Sequence, residues 1–225
     1  PFRHTVLQSL TAKFQGNRLK AIIRGLHTVS LNDAKLGSGG KNVRRLSPSL
    51  SLSYRLSDSP SLYLRASYKN IFRVPNFTEL YFRHYGSADL NPENTDQLNV
   101  GITWQQTYSS KGRFSLTADA YWNHVKDKIV AVPYNMFMWT NINVGKVRVL
   151  GTDITLSLTH QLKKEQALRI DGNYTYQSVA NRTNPEAKTY GMQIAYTPEH
   201  TGSLSFSYEN PWVNLSFHGT GVSQR

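Results

Sequence analysis

Seven histidines are the residues of this chain best suited to acid–base or metal chemistry, and they stand singly: His4, His27, His84, His124, His160, His200 and His218. No two have the helix-face or hairpin spacing of a metal pair, and no carboxylate cluster joins them, so neither a metal site nor a cofactor is expected. Asp119 and Asp127 lie too far apart along one extended segment to share acid–base work. G-x-S-x-G, a phosphate loop and a Cys–His pair are all missing, and the chain has no cysteine. No catalytic residue is predicted, and the chain does not read as an enzyme. Recognition chemistry remains. Tyr81, Phe82, His84 and Tyr85 crowd one long connection, and Tyr134, Met136, Phe137, Met138 and Trp139 crowd the next. Apolar surface with a few oriented polar groups is how small-molecule sites are built. Equally, such residues pack a loop against its support. If both loops bend over one mouth, the two clusters share a ligand.

The elements that would position these loops read as strands. From Phe114 to Trp122 the even positions are Phe114, Leu116, Ala118, Ala120 and Trp122, against Ser115, Thr117, Asp119 and Tyr121. From Leu150 to Leu158 the evens are Leu150, Thr152, Ile154, Leu156 and Leu158, against Gly151, Asp153, Thr155 and Ser157. A period of two puts one set on each face of a strand. One greasy and one polar face, repeated strand after strand, suits a wall between lipid and water. No run approaches the roughly 18 apolar residues of a membrane helix. A barrel strand needs only about ten alternating residues, so 39% hydrophobic composition does not argue against a membrane.

About ten strands follow: Phe2–Phe14, Arg18–Leu31, Ser47–Leu56, Ser61–Ile71, Asp96–Gln106, Lys111–Val130, Met138–Gln161, Ala167–Ala180, Tyr190–Glu209 and Pro211–Gly221. Pro198 marks a break in the ninth. Helical periodicity is absent. Connections alternate between short ones (15–17, 57–60, 107–110, 162–166, 210–211) and longer ones (32–46, 72–95, 131–137, 181–189). In an up-and-down meander this puts all short turns on one rim, as bacterial barrels do on the periplasmic side. Tyr54, Tyr68, Trp104, Trp122, Trp139, Tyr174, Tyr176, Tyr208 and Trp212 are placed to form interfacial girdles, although aromatics also favour strands as such.

Formal net charge is +12, which raises nucleic acid as a partner, but the cations are scattered and no recognition helix or RRM-like signature accompanies them. Nucleic acid is not expected. Lysines and arginines instead suit a lumenal face or anionic headgroups. The densest group, Lys41, Arg44 and Arg45, could touch lipopolysaccharide phosphates or an anionic siderophore.

Residues Phe72–Gly101 read FRVPNFTELYFRHYGSADLNPENTDQLNVG. This resembles the segment of TonB-dependent outer-membrane receptors in which F-R-x-P, E-L-Y and L-x-P-E precede a strand. Phe72, Arg73, Pro75, Glu79, Leu80, Tyr81, Gly86, Leu90, Pro92 and Glu93 match it; Asn91 stands where the family often has lysine. Asn141–Gly145 with Gly151-Thr152-Asp153 is similar to the family's N-x-G…G-x-E/D strand, with Asp153 for the commoner Glu. Thr197–Thr201 is similar to its "tPeHt" element. The resemblance implies an all-β meander forming part of a 22-stranded barrel in the bacterial outer membrane. It also implies a separate plug and an inner-membrane TonB complex that supplies energy. Residues 1–225 are then expected to be one barrel portion, with plug and about the last two strands outside it. The implied cargo is a scarce nutrient: ferric siderophore, haem or cobalamin. Arg73, Glu79 and Glu93 are expected to fasten the long loop to the wall, with Pro75 and Pro92 stiffening its arms.

The competing expectation is a β-sandwich, soluble or surface-borne, that binds polysaccharide. It requires Phe114, Leu116, Trp122 and Ile154 to face a dry core between two sheets.

Overall fold

The computed structural model describes residues 2–33, 40–83, 86–108, 111–194 and 197–224. Ten strands and one short helix follow in chain order: β1 (Phe2–Gln15), β2 (Leu19–Asp33), β3 (Val43–Ser57), β4 (Ser61–Arg73), α1 (Phe77–Tyr81), β5 (Glu93–Tyr108), β6 (Gly112–Pro133), β7 (Trp139–Lys163), β8 (Gln166–Asn181), β9 (His200–Glu209) and β10 (Asn214–Val222). Each strand pairs antiparallel with its sequence neighbours in one ten-stranded sheet. The connections 16–18, 58–60, 109–111, 164–165 and 210–213 share one rim, and 34–42, 74–92, 134–138 and 182–199 share the other. The two-rim asymmetry of the sequence is therefore a property of the fold.

Register carries the alternation across the whole wall. One row runs Tyr68–Leu98–Trp122–Leu150 over β4 to β7. Further rows toward the short-turn rim on the same face add Ala66, Val100, Ala120 and Thr152, then Leu64, Ile102, Ala118 and Ile154. Leu98 is 46% exposed and Trp122 40%, so no protein layer covers this face. It is a belt open to its surroundings, and the sandwich expectation fails on it: the described residues form one sheet with no opposing one. The opposite face presents Arg65, Gln97, Asn99, Asp119, Asn123 and Asp153.

Buried hydrophobic residues are few and sit toward the long-loop end. Val125, Val147 and Val179 pack together with Val144, Val149 and Ile194, while Leu80 and Leu90 are buried in the 74–92 connection.

The helix α1 and the last two strands differ from expectation. The helix α1 has only five residues, too short for periodicity to register, and rests on a capping box: Asn76 Oδ1 accepts from the Glu79 N–H while Glu79 Oε2 accepts from the Asn76 N–H. The ninth strand begins at His200, not Tyr190. Gly191 holds φ +80°, Gln193 alone among the described residues of this stretch bridges to β8, at Ala180, and Pro198 has no N–H to give a ladder. In the last turn, Asn210 Oδ1 accepts from the Trp212 and Val213 amides, which delays β10 to Asn214.

Candidate functional site

At the long-loop rim the connection 74–92 is bound down on every side. Arg73 ends β4 and Glu93 opens β5 as direct cross-strand partners. Arg73 Nε donates to Glu93 Oε2 at 2.8 Å, and Nη1 donates to both Glu79 oxygens at 2.9 Å. One guanidinium thus ties the strand pair to α1. Glu93 Oε1 also accepts from the Ile129 amide at 2.6 Å, which brings in β6. These groups lie beyond the apolar belt. Burial there works against an ionised Glu93, yet the Arg73 and Ile129 donors outweigh it and hold the carboxyl below its ordinary value. Bonding to Glu93 and Glu79 likewise raises the Arg73 pKa, so the cation is permanent.

The loop's other anchors reach across the mouth. Arg3 of β1 donates to the Pro75 carbonyl at 2.7 Å, and its guanidinium lies 5.0 Å from the Phe77 ring centre. The Tyr81 hydroxyl accepts from the Gly40 amide at 2.7 Å, and Lys41 Nζ donates to Asn91 Oδ1. On the far side Asn143 Oδ1 accepts from the Asn91 N–H at 2.7 Å. Its Nδ2 donates to the Asn91 carbonyl at 3.0 Å and to the Asp127 carbonyl at 2.7 Å. Asn141 Nδ2 donates to the Glu79 carbonyl. Asp127 holds φ 55°, a left-handed conformation that Asp tolerates better than most residues. Opposite it lies Gly145, where a Cβ would stand 2.7 Å from Thr183 Cγ2.

The family-motif residues therefore converge: Arg73, Pro75, Glu79, Leu80, Tyr81, Glu93 and Asn141 all belong to this clasp. Phe72 lies under the Arg45 guanidinium at 6.0 Å on the wall itself. Gly151 and Asp153 lie farther along β7. At Gly151 a Cβ would collide with the Tyr121 ring, and Asp153 accepts from Thr175 Oγ1 at 2.7 Å. The Asn91–Asn143 pair and the reach of Arg3 are missed by sequence reasoning. The partners are distant in sequence, and nothing local marks them.

The aromatic clusters part ways. Tyr81 is committed to Gly40, whereas Phe82 is 45% exposed. His84 and Tyr85 lie outside the described residues. Tyr134, Met136 and Phe137 are 72%, 93% and 89% exposed at the tip of the β6–β7 hairpin, with Trp139 at its base. The hairpin is closed by Tyr134 N–H and Asn135 N–H, both donating to the Met138 carbonyl. The root of the hairpin meets the helix of the long connection through the Asn141–Glu79 bond.

A one-layer antiparallel wall, apolar on one face, polar on the other and with its long connections on one rim, is the architecture of an outer-membrane β-barrel. The family model "TonB dependent receptor-like, beta-barrel" matches residues 24–224, and the chain belongs to that family. It is a family of bacterial outer-membrane receptors, not enzymes. Solved structures agree in fold. The copper transporter OprC superposes with TM-score 0.67 at 20% identity over 98% of this chain and 34% of its own. The alcaligin receptor FauA of Bordetella pertussis gives 0.65 at 16% over 99% and 38%. The siderophore receptor PiuA of Acinetobacter baumannii gives 0.66 at 13% over 98% and 33%. The chain thus spans about a third of each. No curated protein sequence matches it.

Proposed function

We propose that this chain supplies ten strands and the mouth loops of a receptor that imports a scarce nutrient, a ferric siderophore, haem or cobalamin. A plug inside the barrel and the inner-membrane TonB complex supply the energy. The carrying observation is the clasp. A long loop held by Arg73, Arg3 and Asn143 is a fixed platform beside an exposed apolar hairpin tip, and rigid support beside adaptable apolar side chains suits capture of a large cargo. In this reading Phe82, Tyr134, Met136 and Trp139 touch the cargo, and Tyr81 braces the platform. The wall performs no chemistry. The names of the similar structures include a copper transporter and siderophore receptors, which agrees with metal-chelate cargo for this chain.

The test is a binding panel on the intact receptor in detergent, with ferric siderophores, haem and cobalamin as probes. One class should bind, and Met136→Ala with Trp139→Ala should weaken it about tenfold, the loss of one or two buried apolar contacts. Unchanged affinity in the double variant would remove the hairpin tip from the cargo site.

A further inference from the structure

On the face opposite the belt, the lumenal one, three consecutive lateral rows cross β1 to β4. They read Lys69–Ser49–Arg24–Thr11, then Ser67–Ser51–Ile22–Lys13, then Arg65–Ser53–Lys20–Gln15 toward the short-turn rim. In these rows β3 contributes only serine, and the strands on either side of it contribute long cations. Neighbouring strands lie about 4.8 Å apart and successive rows on one face about 7 Å. Lys69 and Arg24 therefore rise from the wall roughly 10 Å apart across Ser49, and Arg65 and Lys20 do so about 14 Å farther down. Between these banks is a hollow of about 350 Å³ whose lining includes Lys20, Ile22, Ser51, Ser53, Arg65 and Ser67.

Charge on this face is sorted by strand. Among the described residues β1 to β4 turn no carboxylate to it, whereas β6 to β8 turn Asp119, Asp153 and Asp171. Arg65 is matched by Asp119. Arg24 Nε donates to Thr11 Oγ1 at 3.2 Å, a neutral partner that leaves its charge unmatched. Lys13, Lys20 and Lys69 are exposed, and among the described residues they form no ion pair. Four cations thus stand without an acid inside three rows. Their stems are long and flexible enough for the heads of Lys69 and Arg24 to meet one anion above Ser49. Serine keeps the floor between them low and adds hydroxyl donors. A water-filled cleft of one charge sign, walled by low-dielectric protein, focuses its field and concentrates ions of the opposite sign.

We propose that Lys20, Arg24 and Lys69, over the serine floor of β3, form an anion lane on the lumenal wall, fitted to a cargo that carries several carboxylates, as a polycarboxylate metal chelate does. The Arg24–Lys69 pair takes the carboxylates first, and Lys13 and Lys20 take them nearer the short-turn rim, each charge-assisted bond forming as the one above it is released. Charge complementarity selects this occupant. A neutral cargo gains nothing from the lane, and a cationic one is repelled by it. The assignment rests on the nutrient-import reading and narrows it to anionic chelates.

The experiment uses the intact receptor in a neutral maltoside detergent. The chain has no cysteine, so Ser51→Cys places one thiol on the floor of the lane. The probes are two thiol reagents of similar size and opposite charge, sulfonatoethyl and trimethylammonioethyl methanethiosulfonate. Labelling rates are read by peptide mass and normalised to those of free cysteine. The anionic reagent should react about tenfold faster, as a potential of about one kT acting with opposite sign on the two reagents requires. Salt at about 1 M, where the Debye length is about 3 Å, should flatten the preference. Thr155→Cys, on the same face beside Asp153, should show no preference for the anion. Adding Lys20→Gln, Arg24→Gln and Lys69→Gln to Ser51→Cys should abolish it, while Lys20→Arg with Lys69→Arg should retain it. Equal rates in the parent, or a preference that survives the three glutamine substitutions, overturns the proposal. Refusal of both reagents also overturns it, since the plug then covers the cations. The labelling needs no cargo. A receptor that binds nothing in the cargo panel yet keeps the preference loses the import reading alone, and one that binds a chelate without the preference loses the lane alone.

Discussion

Arg65 and Asp119 stand on strands that do not touch, β4 and β6, and join above the bare backbone of Gly101 on β5. Arg65 pairs with Gly101, Gly101 pairs with Asp119, and Arg65 Nη2 donates to both Asp119 oxygens at 2.9 Å. A Cβ on Gly101 would collide with the Asp119 carboxylate. The glycine leaves room for the Asp119 carboxylate to lean over the strand and accept from the arginine on its far side.

Gly101→Val should separate this pair and cost about 1–3 kcal/mol through overpacking and a strained ion pair. Chemical unfolding in detergent measures it. Arg65→Gln in the same background should add little further loss, because the pair is already parted; full additivity of the two substitutions would contradict the bridge.

Arg73→Met leaves Glu79 and Glu93 facing each other without their shared cation. We expect a loss of about 1–2 kcal/mol, at the low end for broken pairs because the Arg73 side chain is 39% exposed. Hydrogen–deuterium exchange should rise over residues 74–92 and at Ile129, and stay constant in β8 to β10.

The same clasp has a defined acid response. Glu93 is held below its ordinary pKa in the fold, so its contribution is complete above the unfolded value and disappears as pH falls through the folded one. Exchange over 74–92, corrected for intrinsic rates, should stay flat at neutral pH and rise only below about pH 4, the ordinary glutamate range. In Arg73→Met that rise should begin at higher pH. A loop equally loose from pH 7 to pH 3 in the parent would contradict the clasp.

Asn143→Ala removes one acceptor from the Asn91 amide and one donor shared between two carbonyls. The cost should be about 1–3 kcal/mol, that of polar groups left unpaired in a part-buried setting. Thermal unfolding in detergent measures it, and protease sensitivity should appear near Asn91, far from the mutation in sequence.

Ala118→Lys places a charge in the middle of the belt and Thr117→Lys places one on the polar face. The first should cost about 2–4 kcal/mol in lipid and the second little. Folding yield into vesicles discriminates them. Equal costs would mean that both faces meet the same solvent.

All ten strands were legible because alternation is a local signal, and sheet pairing in a meander joins only neighbours in sequence. Phe114 to Trp122 declared its two faces without any partner. The clasp was legible in part: the family resemblance singled out Arg73, Glu79 and Glu93, their opposite charges suggested a fastening, and Tyr81 stood out as a loop aromatic. That the Tyr81 hydroxyl accepts from the Gly40 amide was not, since 41 positions separate them. Nor could the break before His200 be placed to the residue, because one proline allows several ways of leaving a ladder.

Periodicity and turn chemistry act over a few residues, so the chain by itself determined strand order, the two faces and the two rims. Which charges meet depends on lateral register, and register is set by all strands pairing at once. Only the folded sheet decided that Arg65 reaches Asp119 over Gly101, that Asn143 holds Asn91, and that Lys69 and Arg24 flank Ser49 on the lumenal side.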